Sequence, residues 1–371
     1  MTMHILWIQW RDIKNPLAGG AEVYAHEICR RLVRKGVKIL YVSSWMPGLK
    51  TLEEIDGYQV IRVGTHNDFI LHIPRILNRY ADWADLIVED TSKVPLMLPL
   101  LHSNKKPVLA IVHHLNREIY FYELPYRKAI IAYIIESVMP KLYTNLPNVR
   151  FIAVSRSTKE ELIKLGVKPD KIYIVPNGVD KEKQNYCNNV KDSDPTILYL
   201  SRYKTYKQPF HAILAFTKVL KNIPNTKLII AGKNTEILSK YVYKFNLNGS
   251  VKLYGEVSEI KKMELLSRSW LLIQTSLKEG FGLTVLEAAL CRTPTVAYDV
   301  AGFRDSVKHM ETGLLVKPGD VEGLAKAIIT LLTDTDLWKK LSENAFRYAQ
   351  NFDWDKTAEA FLKILKEVER N

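Results

Sequence analysis

SLKEGFGLTVLEAALCRTPTVA, residues 276–297, places a glutamate, a Gly-Phe-Gly turn and a second glutamate at the start of an apolar helix. The run before it, WLLIQTS (270–276), reads as a buried strand, and TPTVAYD (293–299) after it reads as the next. A strand, turn, helix and strand in that length make a parallel-sheet unit. Glu279 then falls on the loop, the helix opens near Leu283, and Glu287 lies just over a turn inside it. Gly280 and Gly282 allow the backbone to bend and expose N–H groups at the positive end of the helix, an arrangement that binds phosphate. Carboxylates accept hydrogen bonds from the paired hydroxyls of a sugar or ribose. Acidic residues favoured by the helix dipole account for Glu279 and Glu287, but not for the glycine turn between them.

Outward from this stretch the same alternation continues. Upstream come TILYLS (196–201), TKLIIAG (226–232) and SVKLYG (250–255), and downstream TGLLV (312–316). The first half repeats the pattern with ILWIQW (5–10), VKILYVS (37–43), YQVIRV (58–63), DLIVE (85–89), PVLAIV (107–112), VRFIAV (149–154) and KIYIV (171–175). Between the first two, AEVYAHEICRRLVRKG predicts a helix with Val23, Ile28, Leu32 and Val33 on one face and Gly36 as its stop. Near-continuous apolar strands separated by helices predict parallel sheets covered on both faces. The expected architecture is α/β, with two Rossmann-like domains, residues 1–180 and 196–352. The polar stretch KEKQNYCNNVKDSDP (181–195) reads as the linker. Ligands of open parallel sheets sit outside the strands' carboxyl ends, so the expected site is a cleft between two such domains. The last segment, 353–371, predicts a helix with Trp354, Ala358, Phe361, Ile364 and Val368 on one face.

The bulk numbers narrow the class. A chain of 371 residues exceeds one ordinary core, and 47% hydrophobic with 25% charged residues is globular composition. Its net charge of +13 favours anionic partners: nucleic acid, an anionic membrane surface or phosphorylated small molecules. No zinc finger, RNA-recognition signature or basic block with interleaved aromatics supports nucleic acid. Cys29, Cys187 and Cys291 lie far apart, which argues against a disulfide framework or zinc site and fits a reducing cytosol. AIIAYIIESVMP is broken by Glu136 and Pro140, short of the ~20 residues a membrane span needs. The opening MTMHILWIQWRD suits a first strand rather than a secretion signal.

Two further constellations carry chemistry. GGAE (19–22) opens the first helix, and Gly19 and Gly20 there let backbone amides approach an anion. After TILYLS come Arg202 and Lys207, a fork of donors and a point charge five residues apart, suited to clamping a diphosphate. The dinucleotide fingerprint GxGxxG is missing after the first strand, which weakens a dehydrogenase reading.

EGFGLTVLEAALCRTPTVAYDVAGFRDSV followed by TGLLVKPGD resembles the donor-binding region of family-four retaining glycosyltransferases, which have the GT-B fold. Glu279 and Glu287 match that family's two glutamates separated by seven residues. GGAE, AVSRSTKEEL, PNGVD, Arg202 and Lys207 fall in the family's order, so the resemblance spans nearly the whole chain. It implies that Glu287 holds the nucleotide's ribose hydroxyls, while Glu279 and the amides of Gly280, Phe281, Gly282 and Leu283 hold the transferred sugar. Arg202 and Lys207, helped by Thr284 N–H, Gly19 and Gly20, would neutralise the diphosphate leaving group. Val257 would touch the base and His113 the donor sugar, with His114 as the alternative register. Asp90 and Glu118 are candidates for the acceptor. No residue matches a covalent nucleophile, so a front-side route is implied, in which the leaving phosphate helps deprotonate the acceptor. The donor is expected to be a UDP- or GDP-sugar, with no metal and no cofactor. Arg292 departs from the family, many members having glycine there.

The acceptor is expected on the first domain. LPYRKAIIAYIIESVMPKLY with Arg127, Lys128 and Lys141, and FILHIPRILNRYADW with Arg75 and Arg79, offer basic, apolar surfaces suited to an anionic bilayer. The resulting expectation is a cytoplasmic enzyme, peripheral on the membrane's inner face, glycosylating a lipid-linked sugar or glycan precursor. The resemblance also implies that the last helix crosses back to the first domain. Other readings stay open: a sucrose- or trehalose-type synthase, a GT-B sugar epimerase, and a non-catalytic nucleotide-sugar-binding module.

Overall fold

The computed structural model describes residues 2–101, 106–188 and 190–370. The chain divides into two compact units, Met1–Gly178 with Trp354–Asn371, and Val179–Asp353. Each unit is built on one sheet. In the first, eight strands run β1 (His4–Gln9), β2 (Lys38–Ser44), β3 (Leu52–Ile55), β4 (Tyr58–Val63), β5 (Leu86–Thr91), β6 (Val108–Val112), β7 (Val149–Ala153) and β8 (Ile172–Ile174). Their spatial order is β3-β4-β2-β1-β5-β6-β7-β8. All pairings are parallel except the β3–β4 edge. The second sheet contains β9 (Thr196–Leu200), β10 (Lys227–Ala231), β11 (Val251–Gly255), β12 (Leu271–Gln274), β13 (Thr295–Tyr298) and β14 (Gly313–Val316), ordered β11-β10-β9-β12-β13-β14 and wholly parallel.

Central strands are apolar on both faces because helices cover both. β5, β6, β9 and β12 are buried at every position. Strand β3, LEEI, escapes an apolar-run reading because two of its four residues are glutamates. It is an edge hairpin strand, and its signal was the Asp56-Gly57 turn, where both residues take positive φ, 44° and 89°.

The first helix, Gly20–Arg34, buries Tyr24, Ala25, Ile28, Cys29 and Leu32. Val23 and Val33 are only half-buried, so the core-facing stripe is rotated from the expected one toward Tyr24, whose hydroxyl donates to Val175 O at 3.1 Å. The terminal helix, Trp354–Arg370, belongs to the same unit. Phe361 stacks on Trp7 of the central strand at 5.5 Å between ring centroids, and Arg31 Nε donates to Asp355 at 2.7 Å. Full burial of a side chain such as Phe361 contributes about 2–3 kcal/mol.

Two expectations about residues 181–195 are corrected. The stretch is not a free linker, since Lys181–Tyr186 forms a 3-10 turn within the second unit. Cys187 and Cys291, 104 positions apart, are joined as a disulfide, so the cysteines no longer argue for a reducing cytosol. Only Cys29 is a free thiol, and it is buried. Spacing alone could not reveal the bond, because the strap carrying Cys187 returns to the end of the helix after β12 only in the folded unit. Among the described residues, no helix is long and apolar enough to cross a membrane.

Candidate active site

In the second unit the opening stretch forms a loop after β12 and then the helix Leu283–Leu290. Gly282 caps that helix at φ 90°, a left-handed conformation that glycine adopts without cost. No side chain caps the end, and Val285 N–H returns to Gly282 O. The first amides, those of Leu283 and Thr284, therefore face outward at the positive end of the helix. Gly302 closes behind the loop, where a Cβ would lie 2.4 Å from Glu279 O. Phe281 is buried, edge-on to Phe352 at 5.2 Å, and anchors the turn between Gly280 and Gly282.

Across from this loop, Thr205–Lys207 makes a 3-10 turn after β9. The turn is pinned in place: Leu277 N–H donates to Tyr206 O at 2.9 Å, and the Thr275 hydroxyl donates to Lys207 O at 2.8 Å. Pinning delivers the Lys207 ammonium to Glu279, whose Oε1 also accepts from Ser276 at 3.1 Å. Burial opposes the Lys207 charge and the Arg202 guanidinium nearby pushes the same way, yet Glu279 overcomes both and raises the ammonium above its ordinary value. An ammonium paired with a carboxylate thus stands in the loop before a helix N-terminus, with a guanidinium near enough to act on the ammonium's charge. That arrangement can hold an anionic group with charge-assisted hydrogen bonds.

Glu287 is buried five residues into the helix, and it has partners the sequence reading missed. Lys183 Nζ and Lys262 Nζ each lie 2.8 Å from its Oε1 and 2.8 Å from Glu259 Oε2. Burial works against the Glu259 charge, but the lysines hold its carboxyl at about 2. Lys262 is i+3 from Glu259 on the helix Glu259–Arg268, a readable helix pair; Lys183 arrives from the strap, which no periodicity announces. Val257, in the loop between β11 and that helix, packs on the second core.

In the first unit, His113 Nε2 lies 2.7 Å from Asp90 Oδ1, both groups buried. Tyr24 meets the imidazole edge-on at 5.2 Å. Burial raises the Asp90 carboxyl, with His113 opposing the shift. Two further buried carboxylates fix the loops around this pair. Glu89 accepts from Leu96 N–H at 2.7 Å, Leu98 N–H at 3.1 Å and the Tyr143 hydroxyl at 3.0 Å. Glu136 accepts from Asn116 N–H at 2.8 Å and Arg117 N–H at 2.6 Å. Burial pushes the Glu89 carboxyl up to about 7 and raises that of Glu136 as well. His114 turns to Asn116, and Glu118 stands exposed, 3.7 Å from the Arg117 guanidinium. Gly19 N–H, expected to face an anion, donates instead to Glu22 at 2.6 Å in a capping arrangement, while Arg11 holds the same carboxylate from outside. Gly20 begins the helix proper.

Arg292 takes φ 50° directly after the helix end, so the left-handed position is kept although no glycine stands there. Its guanidinium sits 3.9 Å from the Phe346 ring centroid and 3.2 Å from Glu343. Among the described residues no cluster of three metal-ligating side chains occurs.

Two parallel-sheet α/β units of this kind make the GT-B fold of glycosyltransferases. The chain belongs to family four of these enzymes: residues 18–183 match the family described as Glycosyltransferase Family 4, and residues 180–348 match Glycosyl transferases group 1. It is 32% identical to the poly(glycerol-phosphate) alpha-glucosyltransferase of Bacillus subtilis over 58% of this chain and 32% of that one. It is 29% identical to the N,N'-diacetylbacillosaminyl-diphospho-undecaprenol alpha-1,3-N-acetylgalactosaminyltransferase of Campylobacter jejuni, over 60% and 61% of the two chains. The chain therefore spans less than two thirds of either relative. The Anabaena HepE protein, solved with UDP and glucose, superposes with a TM-score of 0.76 at 21% identity, over 98% of this chain and 100% of that one.

Proposed function

We propose that the enzyme is a metal-independent retaining glycosyltransferase that moves a hexose from a UDP- or GDP-sugar to an acceptor hydroxyl. The observation carrying this reading is the Lys207–Glu279 pair beside the uncapped helix end at Gly282. Lys207 and Arg202, with the Leu283 and Thr284 amides, are assigned to the diphosphate, whose charge grows as the sugar–phosphate bond breaks. Fixed positive groups aimed at that charge stabilise the transition state more than the ground state. Glu279 is assigned to the sugar's hydroxyls, Glu287 to the ribose, and Val257 to the base. His113, held by Asp90, is assigned to the transferred sugar, and Gly20 to the phosphates. Lacking a matched nucleophile, the reaction is assigned the front-side route, in which the departing phosphate takes the acceptor's proton. Lys207→Ala tests the assignment: wild type should slowly hydrolyse its nucleotide sugar and the variant should not. Equal hydrolysis by both would overturn it.

The acceptor is assigned to a lipid-linked sugar or glycan precursor, and the enzyme to the cytoplasmic face of a membrane. The Campylobacter relative's name specifies a diphospho-undecaprenol-linked acceptor, which supports this class. A surface of the first unit supports it too. The helix Tyr126–Tyr143 leaves Ile131, Ile134, Val138 and Leu142 exposed in one stripe, with Arg127, Lys128 and Lys141 exposed beside them. Its opposite face is buried and, Glu136 apart, largely apolar as well, so it lacks the one-sided pattern of a simple core helix. An apolar stripe rimmed with cations suits an anionic bilayer. Sedimentation with anionic vesicles at low salt should carry the protein down, and Ile131→Asp with Ile134→Asp should release it. A wild type that ignores such vesicles removes the membrane assignment.

A further inference from the structure

Glu287 does not stand alone, and what surrounds it bears on how nucleotides are chosen. Its side chain is 10% exposed, and both ammoniums that reach it bond to the same oxygen, Oε1. A mostly buried carboxylate with one oxygen shared by two cations is fixed in orientation as well as in charge, so its second oxygen is presented at a set angle. The cations are themselves held. Lys262 rises from the helix Glu259–Arg268, whose start is capped by Ser258 Oγ accepting from Lys261 N–H at 3.2 Å. Lys183 lies on the strap, which is secured beyond it by the Cys187–Cys291 bond. There the Lys191 ammonium donates to Ser267 O at 2.9 Å, Cys291 O at 3.2 Å and Thr293 Oγ1 at 2.6 Å. Glu259 bridges the two ammoniums from the exposed side, completing a charge-balanced square.

We propose that Lys183 and Lys262 are positioning residues that aim Glu287 at the donor's ribose hydroxyls, and so make the enzyme select ribonucleotides over deoxyribonucleotides. The inference rests on the assignment of Glu287 to the ribose. A carboxylate free to swing accepts a hydrogen bond from one ribose hydroxyl or from water with little preference, whereas an oriented one loses a partner when the 2′-hydroxyl is absent. Leaving a buried charged acceptor unpaired is what makes such a loss costly. A purely structural role for the lysines would alter stability and leave the choice between ribose and deoxyribose untouched.

The test compares the affinity of wild type, Lys183→Met, Lys262→Met and the double variant for UDP against dUDP, GDP against dGDP and ADP against dADP. For the base it accepts, wild type should prefer the ribose form about tenfold or more. Each single variant should lower that ratio, and the double variant should bring it to about threefold or less. In turnover, the losses should fall on KM for the ribose donor with kcat nearly kept, and Lys262→Arg should restore much of the preference. Should the double variant fail to fold, Lys262→Met alone must still reduce the ratio. A wild type indifferent to the 2′-hydroxyl with every base sinks the ribose assignment itself and this inference with it. A discriminating wild type whose folded lysine variants discriminate equally well overturns only the positioning role.

Discussion

The two units treat the carboxylates around their candidate sites in opposite ways. In the second, Glu279 and Glu287 are met by lysines: Lys207 on one, Lys183 and Lys262 on the other. In the first, Glu89 and Glu136 are met by backbone amides and tyrosine hydroxyls, and burial pushes both carboxyls up. Ammonium partners keep a carboxylate charged and bring cations to the strand ends, where a phosphate can use them. Neutral donors fix a loop without adding charge. The second unit is thus built around anions, and the first around loop geometry near the Asp90–His113 pair. Glu22, held by Arg11 at 2.9 Å, and Asp12 are the first unit's exceptions, Asp12 being sealed against Arg62 at 2.7 Å with both side chains fully buried. Asp12 ties the loop after β1 to β4, so this pair too is scaffolding.

The contrast can be broken at its strongest point by Lys207→Ala. Removing one preorganised donor from developing charge costs about 100- to 1,000-fold in kcat, read as initial rates of donor turnover. A loss confined to thermal stability would mean that the second unit's cations are scaffolding as well. Glu89→Gln sharpens the other side. With its folded carboxyl at about 7 against an ordinary 4.5, the native chain holds a proton that the unfolded chain has released between those values. The folded state then binds more protons, so stability falls as pH rises from about 4.5 to 7 and levels off above. The contribution is about 3 kcal/mol across the window. Urea titrations at stepped pH should show that slope in wild type and a flatter one in Glu89→Gln, which stays neutral. An unchanged slope would show that Glu89 is ionised throughout.

Much of this fold is legible in the sequence because parallel strands buried on both faces are unbroken apolar runs, such as VLAIV in β6 and TILYL in β9. β3 was hidden because an edge strand keeps polar residues and reads as a loop. Glu279, Lys207 and the glycine turn were each visible as residues. Their meeting was not, because it depends on hydroxyl and amide bonds from Thr275 and Leu277 that spacing does not encode. Lys183 and the Cys187–Cys291 bond were hidden for a related reason. A polar strap with no period carries no local signal of what it lies against, and both contacts span about a hundred residues.

Arg292 offers the smallest effect and the cleanest control, since it is a second-unit cation outside the proposed clamp. A non-glycine residue at φ 50° costs roughly 1 kcal/mol against glycine. Its guanidinium returns part of that: packing over Phe346 contributes about 0.5–1 kcal/mol, and the half-exposed Glu343 pair adds less. The opposing contributions nearly cancel, so Arg292→Gly should move stability by less than about 1 kcal/mol, read as a small shift in Tm. Nucleotide affinity should not change, because the guanidinium is committed to Phe346 and Glu343 at the far end of the Leu283–Leu290 helix from Gly282. If affinity fell as it should in Lys207→Ala, the second unit's preference for anions would be a field spread over its whole surface. Unchanged affinity would confine that preference to cations carried by the 202–207 segment, the strap and the Glu259–Arg268 helix.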